Sequence, residues 1–310
     1  MMKGKVFIHI IIAVLCFFAI DNIIAYVMMK GVNKYYGLTQ KSEILLIGHS
    51  HLMLAVDKVR LEKELETTVS KYCREGVNVT DKKMMVEHFL NNGYFDSLKY
   101  VLYGVDLATF TGDGLSENSY KLFYPFIDNH IVNEYVKSQS KTTDYWLHKL
   151  VKTTRFNDDG LKNSAVRGWI GNWDNFKSNI VDIDTYKKKL ANGDERSIQM
   201  NDTLISQFIE TIKMLTDRNI RVILVNTPTL DLLNNYEPQK YELIIDWFHQ
   251  FANQNDLVEF IDFNPKYSSN YLMFSDRLHL NRTGQQIITD EIINYMQSVI
   301  NENSDRRSDI

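Results

Sequence analysis

The 310-residue chain holds only two cysteines, Cys16 and Cys73, and they lie in different surroundings, with Cys16 inside an apolar leader. That excludes a disulfide framework and cysteine-based zinc spacing, and it fits either redox compartment. No lysine-rich or arginine-rich block occurs and the net charge is −4, so nothing points to nucleic acid as a partner. Internal repeats and low-complexity tracts are absent from the sequence. So is a signal-peptidase site: no small-x-small pattern precedes Lys30, and Val14-Leu15 ahead of Cys16 is a poor lipoprotein sequence.

What is present is an ordinary globular composition, 44% hydrophobic and 24% charged, in a length that suits one α/β domain with an insertion. Lys3 and Lys5 precede an apolar run from Val6 to Met29, broken only by His9, Asp21 and Asn22. At ~1.5 Å per residue this run reaches across a bilayer core of roughly 30 Å. Residues 1–30 therefore read as an uncleaved signal anchor, with the cell membrane as partner. The basic leader places the N-terminus inside and the rest outside the cytoplasm, periplasmic or extracellular. Asp21 leaves two readings. Either the span is Val6–Ile20 with an amphipathic continuation, or a partner helix in the membrane meets Asp21 or Asn22. Residues 31–42 read as a tether.

From Glu43 onward, apolar runs alternate with helical spacing. Strands are predicted at Glu43–Ile47, Thr68–Cys73, Leu98–Val105, Asn219–Asn226 and Leu257–Phe263. Helices are predicted at Asp57–Leu65, after a cap at Thr80 or Asp81, at Asp202–Thr216, from Pro238 to about Gln254, and at Gly284–Ile300. That order implies an α/β fold, a three-layer α/β/α sandwich with a parallel sheet and right-handed crossovers, over residues 43–300. Between about 111 and 200 no strand stands out, and the segment reads as a largely helical insertion. Trp146, Trp169 and Trp173 fall in it, either as platforms for sugar faces or as the insertion's own core. Asn301–Ile310 reads as a disordered polar tail.

The chemistry gathers at two places. Ser50 follows the apolar run Ile44–Ile47 and Gly48, at the carboxyl end of a strand, where ligands of open α/β sheets bind. Asp276 and His279 lie three residues apart near the other end of the chain, so one tight turn would aim both at one point. Together they offer a nucleophile, a base and a group that orients the base.

The blocks Gly48-His49-Ser50-His51 and Asp276-Arg277-Leu278-His279 resemble those of the SGNH/GDSL hydrolase superfamily, in its membrane-anchored branch. The resemblance implies Ser50 as nucleophile, His279 as general base and Asp276 as its partner. Gly76 matches the family's glycine block, and Gly104-Val105-Asp106 stands where the family has Gly-x-Asn. Two positions depart: His49 replaces the usual Asp, and Asp106 replaces Asn. A carboxylate cannot donate to an oxyanion unless protonated, which moves that donor to Asn78 or another amide. His49 and His51 would point the same way on an extended segment, like a metal-ligand pair. No carboxylate or cysteine completes their shell in sequence, although Asp276 or His279 could approach in space. The expectation is that both imidazoles line the pocket or hydrogen-bond loops around Ser50, with no metal and no cofactor. Arg277 reads as a surface arginine or an anion contact, and His88, His130, His148 and His249 as structural.

What the resemblance implies about function is a serine esterase or O-acyltransferase acting on envelope or extracellular polysaccharide. Anchored relatives that acylate alginate or teichoic acids work with a multi-spanning acyl-channel partner, and the resemblance extends that expectation here. A reading of another class stands beside it: a catalytically weak scaffold or glycan-binding module in a membrane-associated assembly. His49 and Asp106 are its support.

Overall fold

The computed structural model describes residues 2–112, 119–193, 195 and 197–308. In chain order the first helices are α1 Met2–Tyr36, α2 Ser50–Ala55, α3 Lys58–Glu64, α4 Val79–Leu90, α5 His130–Gln139, α6 Thr142–Leu150 and α7 Asp159–Ile170. They continue with α8 Ile183–Ala191, α9 Asp202–Thr216, α10 Asp231–Asn234, α11 Pro238–Asn253, α12 Asn264–Tyr267 and α13 Arg282–Ser308. The chain divides into two compact units, Met1–Thr39 with Glu117–Asn172, and Gln40–Ser116 with Trp173–Ile310.

The second unit is the α/β domain. Its strands are β1 Ile44–Gly48, β2 Val69–Cys73, β3 Tyr100–Val105, β4 Arg221–Asn226 and β5 Val258–Asp262. All pair in parallel, in the order β2-β1-β3-β4-β5. Each expected strand forms, with ends shifted by one or two residues. The strands β1, β2 and β3 are buried along their whole length, as apolar runs in a sheet covered on both faces must be. On one side α2, α3 and α13 touch one another; on the other α4 packs on α9, whose Phe208 meets Trp247 and Phe248 of α11. Right-handed crossovers put these two groups on opposite faces of the sheet. The result is the three-layer sandwich.

Two expectations fail here for local reasons. The cap of α4 is neither Thr80 nor Asp81 but Asn78, whose side chain accepts from the Asp81 amide while the Asp81 carboxylate accepts from the Asn78 amide. This reciprocal box satisfies two N–H groups at once, which no cap at Thr80 would do. The expected tail from Asn301 continues α13 as far as Ser308, since no glycine or proline interrupts it.

The first unit joins α1 to the helices of the central segment. The expected insertion at 111–200 is split: Glu117–Asn172 packs with α1, while Trp173 onward belongs to the α/β domain. The expected tether also starts late, because Val32, Tyr35 and Tyr36 are buried and keep residues 31–36 helical. The unit's core holds Leu122, Phe123, Ile127, Val132, Val136 and Leu161. No tryptophan contributes: Trp146 and Trp169 are about half exposed, and Trp173 lies in the other unit with the Lys58 ammonium 4.8 Å from its ring centre. Asp21 needs no separate helix, since its carboxylate accepts from the Lys152 and Thr153 amides at 2.8 Å each and from the Thr153 hydroxyl at 2.6 Å.

The helices α1 and α7 cross with their backbones in contact. A Cβ on Gly31 would strike the Ala165 carbonyl, and one on Gly168 would strike the Gly31 carbonyl. Neither obstacle is a flexible side chain, so the helices would have to separate. Gly168→Ala is expected to cost about 1–3 kcal/mol. Hydrogen exchange should show it as lost protection in α1 and α7, with the sheet amides unchanged.

Candidate active site

The site is built at the carboxyl ends of β1 and β3. From β1 the sheet continues to β2 on one side and β3 on the other, so the gap between β1 and β3 is the topological switch point, where such sheets bind ligands. Gly48 ends β1 and Gly104 lies beside it on β3. A Cβ on either would come within about 3 Å of the Leu52 side chain, at 2.8 Å for Gly48 and 3.0 Å for Gly104. The two glycines therefore let α2 settle directly on the strand ends. His49 caps α2: its Nδ1 accepts from the His51 amide at 3.2 Å. Ser50 is the first helical residue and is half-buried, reachable from solvent.

The loop after β5 brings in the partners. Phe274 and Leu280 form an antiparallel bridge, and the Ser275 amide donates to the His279 carbonyl at 2.8 Å. Within this turn the Leu278 and His279 amides donate to Asp276 Oδ1 at 2.9 and 3.0 Å. His279 Nδ1 lies 2.9 and 2.8 Å from the two Asp276 oxygens, and His279 Nε2 lies 2.7 Å from Ser50 Oγ. A carboxylate only accepts, so Nδ1 carries the ring proton and Nε2 accepts from the Ser50 hydroxyl. Burial by itself would raise the Asp276 carboxyl. Hydrogen bonds from His279 and Lys177 outweigh it and hold Asp276 well below the usual carboxylate range.

A second carboxylate lies on the other side of Ser50. Asp106 follows β3, and its Oδ1 accepts from the Ala108 amide at 2.9 Å and the Thr109 hydroxyl at 3.1 Å. Its Oδ2 stands 3.0 Å from His49 Nε2 and 3.2 Å from His51 Nδ1. Neither nitrogen aims squarely at that oxygen, so the attraction is largely between charge and dipole. Burial would raise Asp106, but His49, His51 and the Lys82 ammonium keep it far below its ordinary value. Lys82 is itself buried, donates to the Gly104 carbonyl at 2.8 Å, and is lowered by burial to about 8. Burial also lowers both histidines.

The remaining sequence candidates fall as follows. Gly76 sits in a left-handed turn, φ 76°, between β2 and α4. The Asn78 side-chain oxygen is committed to the α4 cap. Arg277 pairs with Glu195, Nε to Oε1 2.8 Å. His49, His51 and Asp106 present one ligand atom each within 4.8 Å of one another, a donor set that suits a zinc-type cation. The residue that completes this group is Asp106, not Asp276 or His279.

No family model matches the sequence, and no curated protein does. Solved structures with a similar chain path include a Streptococcus pneumoniae protein described as a platelet activating factor. It has 13% identity and a TM-score of 0.39, over 91% of this chain and 98% of that one. A Bacteroides fragilis protein described as an acylhydrolase has 12% identity and a TM-score of 0.41, over 84% and 86%. The C-terminal catalytic domain of Streptococcus pneumoniae peptidoglycan O-acetyltransferase A has 13% identity and a TM-score of 0.39, over 84% and 96%. With likeness this distant, the chemistry is read from this chain's own side chains.

One residue at the site carries no sequence signal. Lys177 lies in the irregular stretch 172–182, and its Nζ donates to Asp276 Oδ2 at 2.9 Å while standing 3.2 Å from His279 Nδ1. Backbone bonds pin the stretch to the His279 loop: Arg282 N to Lys177 O and Val181 N to Phe274 O, both 2.9 Å. Two donors cannot bond each other, so the ammonium shares the Asp276 carboxylate with His279. Lys177→Met removes one of the hydrogen bonds that hold this carboxylate against the ring, and kcat/KM is expected to fall by roughly tenfold, the size of one hydrogen bond to a charged group. An unchanged kcat/KM would show that the ammonium does not position Asp276.

Proposed function

We propose that the chain is a membrane-anchored serine esterase or O-acyltransferase that handles acyl esters of envelope or extracellular polysaccharide. The observation that carries this reading is the 2.7 Å contact between Ser50 Oγ and His279 Nε2, in a ring held by Asp276. The Ser50 hydroxyl gives its proton to Nε2 as Oγ attacks the acyl carbon. Asp276 holds the Nδ1–H tautomer and stabilises the imidazolium that forms. Backbone amides of Ser50 and Gly76 serve as oxyanion donors, each worth roughly 100- to 1000-fold in kcat. His279 then protonates the departing alkoxide, leaving the acyl group on Ser50. In the second half the same nitrogen takes a proton from water, which gives an esterase, or from a sugar hydroxyl, which gives a transferase.

The helix α1 is long and apolar enough to cross a membrane, and it supports the anchored reading with the α/β domain outside the cytoplasm. The polysaccharide class rests on the resemblance of the Ser50 and Asp276/His279 blocks to the SGNH/GDSL superfamily, and transfer would involve a multi-spanning membrane partner. One observation favours the scaffold reading instead: Asp106, whose Oδ1 accepts from the Ala108 amide and the Thr109 hydroxyl, puts a carboxylate at the position where the resembled family has an amide donor.

The full-length protein, incubated with an acetylated oligosaccharide, separates these. An esterase releases acetate without an acceptor, and a transferase moves the acetyl group to an added sugar with little free acetate. In either case Ser50→Ala is expected to lower turnover by roughly 1000-fold or more. A scaffold would show no Ser50-dependent turnover, and Ser50→Ala would leave the cellular phenotype intact.

A further inference from the structure

The helical unit exposes more apolar surface than its anchor alone accounts for. On α6, Trp146, Leu147 and Leu150 share one face; on α7, Val166, Trp169 and Ile170 share another. All six expose between 47% and 67% of their surface. Neither face covers the unit's own core. Both are tied to α1 at fixed heights along its axis. Trp169 Nε1 donates to the Val27 carbonyl at 2.9 Å. Lys152 and Thr153, two and three residues beyond Leu150, clasp the Asp21 carboxylate.

These heights matter because of the length of the span. The outward apolar residues of α1 do not stop at Ile20; Ile23, Ile24, Tyr26 and Val27 are exposed as well. A span of Val6–Ile20 measures about 22 Å, short of the roughly 30 Å hydrocarbon core, whereas Val6–Val27 measures about 33 Å. The longer span puts Asp21 inside the apolar zone, where a carboxylate needs partners. Here the partners come from this chain's own Lys152 and Thr153, and Asn22 satisfies itself on the Phe18 carbonyl at 2.7 Å. The segment that carries Lys152 and Thr153 must then descend to the depth of Asp21, and Leu150 descends with it. Trp169, at the height of Val27, falls where indole rings collect, with an apolar body and an N–H near the headgroups.

We propose that the α6 and α7 faces form a membrane-embedded collar around the Asp21–Val27 end of α1, seated in the lipid interface rather than against solvent or protein. This rests on the reading of α1 as a transmembrane anchor. The collar lets a helix with a carboxylate in its span cross the bilayer without a helix from another protein. It also assigns the exposed tryptophans to lipid rather than to sugar.

The test uses the full-length chain in phosphatidylcholine vesicles whose acyl chains carry bromine near the headgroup or near the bilayer centre. Single-tryptophan variants keep Trp146, Trp169 or Trp247, with the others changed to Phe, and a Leu15→Trp variant marks the span. Trp146 and Trp169 are expected to lose at least half their emission to shallow bromine, Trp247 none, and Leu15→Trp most to deep bromine. If Leu15→Trp is quenched while Trp146 and Trp169 behave like Trp247, the anchor reading stands and the collar is wrong. If Leu15→Trp is not quenched, the anchor reading fails and takes the collar with it. Should the multiple Phe changes disturb folding, a nitroxide on Leu150→Cys in a Cys16→Ser chain gives the same answer. The collar requires fast collisions with oxygen and slow ones with a nickel chelate; the reverse order overturns it.

Discussion

The seating of Leu52 across Gly48 and Gly104 is the contact on which the site depends. A side chain at either glycine would lift α2 from the strand ends. Ser50, the first residue of that helix, would move with it. Its hydroxyl meets a ring carried by the loop between β5 and α13, and a shift of one ångström would break a 2.7 Å contact. The parallel sheet fixes the two glycines side by side, and the helix does the rest.

Two carboxylates with opposite surroundings hold this arrangement. Asp276 is partly exposed and shares its oxygens among His279, two amides and an ammonium, and it orients the His279 ring. Asp106 is buried and faces two imidazoles. Its Oδ2 stands against His49 Nε2, while His49 Nδ1 accepts from the His51 amide, the bond that starts α2. The two positions at which the blocks depart from the SGNH pattern they resemble, His49 and Asp106, are in contact with each other.

Strands β1, β3 and β4 were legible as short apolar runs that the sheet buries, whereas β2 carries Ser70 and Lys71 and β5 is only partly covered. Ser50, Asp276 and His279 were legible as residue types at strand and loop ends. What the sequence hides is set by contacts between distant segments. Lys177 sits in a stretch without periodicity and owes its place to backbone bonds with the His279 loop. Asp106 reads as a lost donor until β3 is laid beside β1. Gly31 and Gly168 look like ordinary helical glycines until α1 and α7 cross. Trp146 and Trp169 read as sugar platforms or as core; they are about half exposed, in the same unit as a helix whose apolar residues from Val6 to Val27 are largely exposed too.

The central claim is that Ser50 is an activated nucleophile. Its most direct test is labelling of the full-length protein with a fluorophosphonate probe, followed by peptide mapping, beside Ser50→Ala and His279→Ala. The account requires a covalent adduct on Ser50 that disappears in the first variant and forms far more slowly in the second. An adduct elsewhere, or none on a folded protein, would contradict it.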